Sequence, residues 1–378
     1  MTPDRAAVRR PTILDVAARA GVSKSAVSLA LRGSAGIGDE TRARILACAE
    51  EIGYRSNRLA RALVEGRSAL VGVVLNDLSN PYHTEIVAGI EDGATAMGAT
   101  TLLTHGQRDP HRTELQVDML LGLNVEGLVL VGSRIPVAAL ERLGRTLPTI
   151  VIGRLEAPVP GVDTIANDDQ AGAELAVRHL AALGHTHIAH VSASLRPAAR
   201  SRREAYLSTM ERLGLGPHAT VHARERVDGE DEDLDAVARR AVTDPRTTAV
   251  FASNDVAALA VMDAASASGA SLPDDLSVVG YDNSTISRIV RPRLTSVDQP
   301  RPLMGTLAAE MLAERLAGRT TDRHEVLLPT LVVRGSTAAP RSAGPRSGGP
   351  SGRDGQALPA DAGMADPSDG WTTTKPGP

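Results

Sequence analysis

Apolar residues recur along this chain in three different rhythms. Between Thr12 and Ile52 they return every three or four residues. Between Leu70 and Tyr281 short apolar runs alternate with amphipathic stretches, and beyond about Ala338 neither pattern survives. In the first section Ile13, Val16, Ala17 and Ala20 share one face of a predicted helix, and Val27, Ala30 and Leu31 give a second its apolar side. Thr12 suits the cap of the first helix, answered by Asp15 three residues on, and Ser23 suits the cap of the second. Gly21 marks a sharp turn between them, and Ala17 is small where the two backbones approach. Asp39 to Ile52 has the period of a third helix, ended by Gly53. Two short helices with a tight turn and a polar leading turn on the second form the helix-turn-helix layout for DNA binding. The same residues also suit an ordinary helical hairpin in a small bundle.

Residues 54–66, YRSNRLARALVEG, hold a helix of barely two turns between Asn57 as cap and Gly66 as stop. Helices this short are unstable alone in water, so the segment reads as a linker helix or as a hinge that folds on DNA. From Leu70 the runs Leu70–Leu75, Thr100–Leu103, Gly127–Val131 and Thr149–Ile152 predict strands, with helices near His83–Met97 and Arg112–Leu121. A second series has strands at Ile188–Val191, Ala249–Ala252 and Leu276–Tyr281, with helices near Asp169–Leu183, Arg202–Leu213 and Asp255–Ser268. This alternation predicts parallel sheets with helices on both faces, divided into two lobes. Ligands of such sheets bind beyond the carboxyl ends of the strands. The cleft is therefore expected to collect Asn76, Asp77, Gly153, Arg154, Asn254, Asp255, Asp282 and Asn283. The expected domains are a head over 1–54, a hinge helix over 55–66 and a body over 67–337. The tail over 338–378 is too rich in Pro, Gly, Ser, Ala and Asp to bury a core, and is expected to be disordered.

Composition changes this picture in two places. Aromatic residues make up only 2% of the 378, so the cores must be built from Ala, Val, Leu and Ile. The net charge of −4 hides an asymmetry: residues 1–67 carry 12 Lys and Arg against 7 Asp and Glu, whereas the remainder carries 29 against 38. A basic head on an acidic body fits DNA contact by the head alone. Cys48, the single cysteine, is expected to be a small buried hydrophobe beside Ile45 and Ile52, and no intramolecular disulfide can form. The start, MTPDRAAVRRPT, lacks the apolar core of a signal peptide, and no run approaches membrane-spanning length, so a cytoplasmic protein without membrane contact is expected.

Nothing in the chain argues for catalysis. It has no nucleophile elbow or P-loop, and its only lysines are Lys24 and Lys375. The glycine motif near Gly214 and Gly216 follows a helix and is interrupted by Pro217. His179, His185, His187 and His190 lack a Cys or carboxylate to complete a metal set. The expectation is a non-enzyme with no cofactor and no metal.

The segments TILDVAARAGVSKSAVSLALRGS, TRARILACAEEIGYRSNRLARAL, VGVVLNDLSNPY, HLAALGHTHIAHV, FASNDVAALAVMDA, LPDDLSVVGYDNS and PRLTSVDQP occur in this order. Together they resemble the lactose-repressor (LacI/GalR) family of bacterial transcription regulators over residues 12 to about 335. The resemblance implies an all-α helix-turn-helix head and an α/β two-lobed, periplasmic-binding-protein-like body. It also implies a homodimer or tetramer, a near-palindromic double-stranded operator, and a small effector, a sugar or related metabolite, that controls repression. A sugar-binding transport component is the alternative on fold alone, opposed by the head. Carried over by position, Lys24, Ser25 and Leu29 are the implied base contacts, with Ser23 and Ser28 suited to phosphates. Leu29 stands where many relatives have Arg; it can touch a thymine methyl but cannot read guanine. Asn57 and Arg58 start the implied hinge helix, and Ala60 and Leu63 match the pair that enters the minor groove. Ser56 replaces a common proline. Asn76, Tyr82, His83, Arg202, Asn254 and Asp282 match effector-contacting positions. Phe251 matches a position that touches the base in a purine-binding relative, though a strand-end core role suits it equally. His83 stands where an aromatic is frequent and Gly153 where some sugar-binding relatives have Asp.

Overall fold

A computed structural model describes residues 11–55, 68–132, 134–224, 226–227 and 230–341. In the head, α1 (Ile13–Ala20) starts with a closed capping box: Thr12 N donates to Asp15 Oδ2 at 2.7 Å, and Asp15 N donates to Thr12 Oγ1 at 3.4 Å. Gly21, at φ +65°, supplies the left-handed residue that turns the chain toward α2 (Lys24–Arg32). The Ser23 hydroxyl accepts from Ala26 N at 3.2 Å and so caps α2, while α3 (Asp39–Glu51) closes the bundle. The small core is Val16, Ala17, Ala20, Val27, Ala30, Ile45 and Ala49, with Cys48 half-buried at its edge. Arg19 on α1 pairs with Glu51 at the end of α3.

The body begins with β1 (Leu70–Leu75), α4 (Pro81–Ala96), β2 (Thr100–His105), α5 (Pro110–Gly122), β3 (Gly127–Val131), α6 (Val137–Thr146), β4 (Thr149–Ile152) and β5 (Val162–Asn167). The second lobe continues with α7 (Asp169–Ala182), β6 (Ile188–Ser192), α8 (Pro197–Arg212), β7 (Thr220–Ala223), a short ladder β8 (Arg226–Val227) and β9 (Glu230–Asp231), α9 (Leu234–Thr243), β10 (Ala249–Ala252), α10 (Asp255–Ala267), β11 (Ser277–Asp282), α11 (Thr285–Ile289) and β12 (Thr295–Asp298). The chain then returns to the first lobe as α12 (Arg301–Leu316) and β13 (His324–Leu327), and ends in the second with β14 (Thr330–Val332). Among the described residues the backbone thus crosses between lobes three times.

The two sheets share one plan. The first runs β13-β5-β4-β3-β1-β2 and the second β14-β12-β11-β10-β6-β7, parallel throughout except where β14 pairs antiparallel with β12. β1, β3, β4, β6, β10 and β11 are buried along their whole length, as expected of strands covered by helices on both faces. In each sheet the order reverses beside the first strand, β1 or β6, and that reversal opens a crevice at the carboxyl ends.

Two packings hold this frame. Helices α4 and α12 meet at Gly89 and Gly305; a Cβ on Gly305 would run into the Ile86 carbonyl, and one on Gly89 into the Pro302 carbonyl. On β5, the fully buried Asp163 accepts from Arg315 Nη2 at 2.5 Å, Arg319 Nη2 at 2.5 Å and Arg323 N at 2.9 Å. Burial alone would raise the Asp163 pKa, but these hydrogen bonds overcome it and hold the carboxyl below its usual range. The packed chain also runs past the expected boundary at 337: Ala338 N donates to Ser277 Oγ at 3.0 Å. Of the tail expected over 338–378, residues 342–378 lie outside the described residues.

Candidate functional site

In the head, the expected DNA residues sit on one element. Ser23, Lys24 and Ser25 are exposed and Ser28 and Leu29 half-buried, while Val27 and Ala30 turn inward to the core. Ser25, Ser28 and Leu29 follow the three- and four-residue spacing that puts side chains on one helix face. No acidic residue occupies the first turn of α2, so its free N–H groups and Lys24 present an unopposed positive end. Asn57, Arg58, Ala60 and Leu63 lie outside the described residues.

In the body, a cleft of about 190 Å³ opens between the lobes at the carboxyl ends of both sheets. Of the strand-end residues expected there, Asn76, Asp77, Gly153, Arg154, Asn254 and Asp282 line it. Asp255 and Asn283 do not. Asp255 is buried beneath, where it accepts from Ser284 N at 2.7 Å and Ser296 Oγ at 2.6 Å, and Asn283 Nδ2 donates to Asp298 at 2.8 Å.

The wall from the second lobe is tied down. Arg202 Nε donates to Asp169 Oδ1 at 2.8 Å and Nη1 to the Ser253 carbonyl at 2.6 Å, with the guanidinium 3.6 Å over the Tyr281 ring. Burial opposes its charge, but Asp169, Tyr281 and Asp282 prevail and hold its pKa above the ordinary range. Asp282 accepts from Gln299 Nε2 at 2.6 Å, and burial pushes its carboxyl up to about 7. Its φ of +102° is a costly backbone state for a residue with a side chain, held at the cleft wall. Asn254 caps α10, its side-chain oxygen accepting from Ala257 N at 2.8 Å.

The wall from the first lobe is less committed. Asn76 is 6% exposed, and its Oδ1 has no hydrogen-bond partner. Tyr82 and His83 line the cleft from the start of α4, and burial followed by the charge of Arg196 lowers His83 to about 4, so it is neutral near pH 7.

Phe251 lies elsewhere. It is fully buried in the second lobe, tilted against His190 and Tyr281 with ring centroids 4.9 and 6.5 Å away, and it does not line the cleft. An aromatic on β10 points into the core because that strand is covered on both faces. Conversely, Arg108, Arg134, Arg196 and Arg224 line the cleft without having been singled out. Arg196 bridges the lobes, donating from Nη2 to the Gly132 carbonyl. It follows β6 within the loop Ala193–Arg196, so the strand-end rule extended to that strand would have found it.

Residues 12–57 match the family model of bacterial regulatory proteins, lacI family, and residues 177–337 match a periplasmic binding protein-like domain. Catabolite control protein A of Priestia megaterium is 31% identical over 323 residues, spanning 84% of this chain and 96% of that protein. The chain belongs to the lacI family. The ribose operon repressor of Escherichia coli (strain K12) is likewise 31% identical, over 86% of this chain and 99% of that protein. Among solved structures, the lac repressor dimer bound to operator and an anti-inducer superimposes with a TM-score of 0.74 at 27% identity, covering 88% of this chain and all of that one. The cellobiose complex of the regulator CelR gives 0.62 at 29% identity, covering 86% of this chain and all of that one. This lacI-family chain is a DNA-binding regulator that pairs a helix-turn-helix head with a two-lobed, ligand-binding type of body. Among the described residues no cluster of His, Cys, Asp and Glu could hold a metal, and no helix is long and apolar enough to cross a membrane.

Proposed function

We propose that this regulator is a repressor that grips a near-palindromic operator as a homodimer and is switched by a small effector in the interlobe cleft. The observation that carries the reading is the unequal cleft. One wall holds Arg202, Asn254 and Asp282 in place, while the other offers Asn76 Oδ1, a buried acceptor with nothing to accept. A buried acceptor left without a donor costs about 1–3 kcal/mol, which a ligand hydroxyl or N–H recovers. Ligand contact on both walls would favour one relative arrangement of the lobes, and that arrangement is what DNA affinity would follow. The operator and anti-inducer bound by the lac repressor dimer, and the cellobiose bound by CelR, support this assignment. The cleft volume, about 190 Å³, lies below the range of roughly 300–1,000 Å³ for drug-sized ligands and suits a metabolite the size of a sugar.

In this reading Lys24, Ser25 and Leu29 read base edges and Ser23 and Ser28 meet phosphates, with Asn57, Arg58, Ala60 and Leu63 as the hinge contacts. Asn76, Tyr82, His83, Arg202, Asn254 and Asp282 contact the effector. Selection from a random duplex pool by the full chain is expected to return a two-fold repeat. Asn254→Ala is expected to abolish the effector response while leaving operator affinity within about threefold. An asymmetric single site would defeat the dimer assignment, and an unaltered dose response would remove Asn254 from the site.

A further inference from the structure

One buried cation stands where the chain returns from the second lobe to the first. Arg301, the first residue of α12, spreads its donors over both lobes. Nε donates to Glu85 Oε2 at 2.9 Å, Nη1 to the Gln299 carbonyl at 3.0 Å and Nη2 to the Asn283 carbonyl at 2.7 Å. Two of these partners lead to Asp282. Asn283 follows it in the chain, and Gln299 is the residue whose Nε2 donates to Asp282 Oδ1 at 2.6 Å. Asp282 and Gln299 both line the cleft. At φ +102°, Asp282 keeps its backbone state only because its surroundings over-determine it.

The third partner leads the other way. Glu85 lies on α4, one helical turn after Tyr82, which lines the first-lobe wall of the cleft. Its Oε1 accepts from Thr285 N at 2.9 Å and Thr285 Oγ1 at 3.0 Å, at the start of α11 in the second lobe. Arg288 on α11 stands 4.0 Å from Oε2. One first-lobe carboxylate thus holds the turn after Asp282 through Oε1, and the clamp on that turn through Oε2. Burial opposes the Glu85 charge, but the hydrogen bonds from Arg301 and Thr285 overcome it and hold the carboxyl below its usual range.

We propose that Arg301 and Glu85 are positioning residues for the effector: Arg301 fixes Asp282 from two sides, and Glu85 ties that hold to the helix carrying Tyr82 and His83. A ligand bridging the walls meets groups whose spacing this pair sets, and a change of lobe arrangement works against the same hydrogen bonds. The inference rests on the effector reading above and deepens it.

Amide exchange, pH-dependent stability and operator binding of the full chain test it, with no effector present. Glu85→Ala is expected to quicken exchange over residues 283–289 about tenfold. The charged and titratable groups facing Asp282 are Arg202, Asp255, Arg301, Tyr82 and Tyr281. Stability falls as pH rises toward the Asp282 pKa of about 7, and both Arg301 and Gln299 favour its charged form. Arg301→Met and Glu85→Ala are therefore each expected to carry the upper end of that slope upward by about half a pH unit or more. Arg301→Lys, which keeps the charge, is expected to restore most of it, and an Asp282→Asn background to abolish the shift. Glu85→Gln, which keeps an acceptor for Thr285 but no charge for Arg301, is expected to move the slope part-way, and it keeps the test open if Arg301→Met misfolds. A slope unmoved in Arg301→Met and in both Glu85 variants overturns the proposal. One that moves in Arg301→Met alone overturns the tie between the lobes. A slope that moves while the operator duplex recovered by selection binds Glu85→Ala within about threefold of wild type upholds the positioning, and defeats the reading that operator affinity follows the lobes.

Discussion

Arginines gather at two places in the body, and the two gatherings are built on opposite principles. Around Asp163 both carboxylate oxygens are filled, by Arg315, Arg319 and the Arg323 backbone, while Asp322 accepts from Arg315 and Glu314 pairs with the charge of Arg319. In the cleft, six guanidiniums line a space that reaches solvent, three of them paired with Asp77 or Asp169. The first cluster is closed: removing any partner strands a charge. The second opens onto the cleft, where a ligand can reach its guanidiniums. Access to solvent, more than the number of arginines, separates a structural cluster from one that lines a cleft.

Breaking the closed cluster should have the largest effect. Asp163→Asn leaves two cations without their carboxylate and is expected to cost about 3–5 kcal/mol of stability in urea unfolding. A loss below about 1 kcal/mol would erase the distinction between the clusters. Because the folded-state pKa of Asp163 is depressed, its contribution is present above the unfolded value near 4 and disappears as pH falls through the folded one.

Buried groups without a full counter-charge sharpen the contrast through pH. His190, stacked on Tyr206 and hydrogen-bonded to the Phe251 carbonyl at 2.9 Å, is held at about 3 chiefly by burial. Between about pH 6.5 and 3 the unfolded chain binds a proton there that the folded chain does not, so stability falls as pH drops. Asp282, pushed up to about 7, has the opposite sign: the folded chain holds the extra proton between about pH 4 and 7, so stability falls as pH rises. His190→Phe should therefore remove an acid-side slope, and Asp282→Asn a slope in the other direction, each of up to about 1.4 kcal/mol per pH unit. Urea midpoints measured at one-unit pH steps would show both; parallel profiles for wild type and variants would refute them.

The smallest effect belongs to a cation with no cluster at all. Lys24→Gln is expected to leave stability within about 0.5 kcal/mol and to reduce the salt dependence of operator affinity by about one unit of slope. An unchanged slope in binding titrations across salt concentrations would take Lys24 off the phosphate backbone.

Much of this architecture was readable from residue pattern. β1, β3, β4 and β10 match their apolar runs residue for residue, because strands covered on both faces must be apolar throughout. Edge elements escaped for the converse reason. β13, with alternating exposed and half-buried residues over four positions, and β14, over three, carry too little periodicity to distinguish them from loop. Helix α12 has plain helical spacing in Met304, Ala308, Met311 and Leu312 and was within reach of the same reasoning. In the cleft, the strand-end rule located Asn76, Asn254 and Asp282, but it could not separate them from Asp255, which leaves the same strand end and faces inward. Nor could periodicity reveal the cluster of cleft arginines. It arises from residues of both lobes, Arg108 and Arg134 from one and Arg196 and Arg224 from the other, which only the folded chain brings together.

The three crossings also set an order for synthesis. The second lobe draws nearly all its elements from the continuous stretch 169–298, whereas the first waits for α12 and β13 at 301–327. Met304, Ala308, Met311 and Leu312 join Ile86, Val87 and Ile90 of α4 against β1, β3 and β4, so part of that face emerges from the ribosome long before its cover. At roughly 5–20 residues per second, the 134 residues from 168 to 301 leave the strip of sheet beside α4 without its second helix for roughly 7–27 seconds. The lobe translated first thus waits longest for one of its covering helices, and that exposed face is the part of the nascent chain with most need of a chaperone.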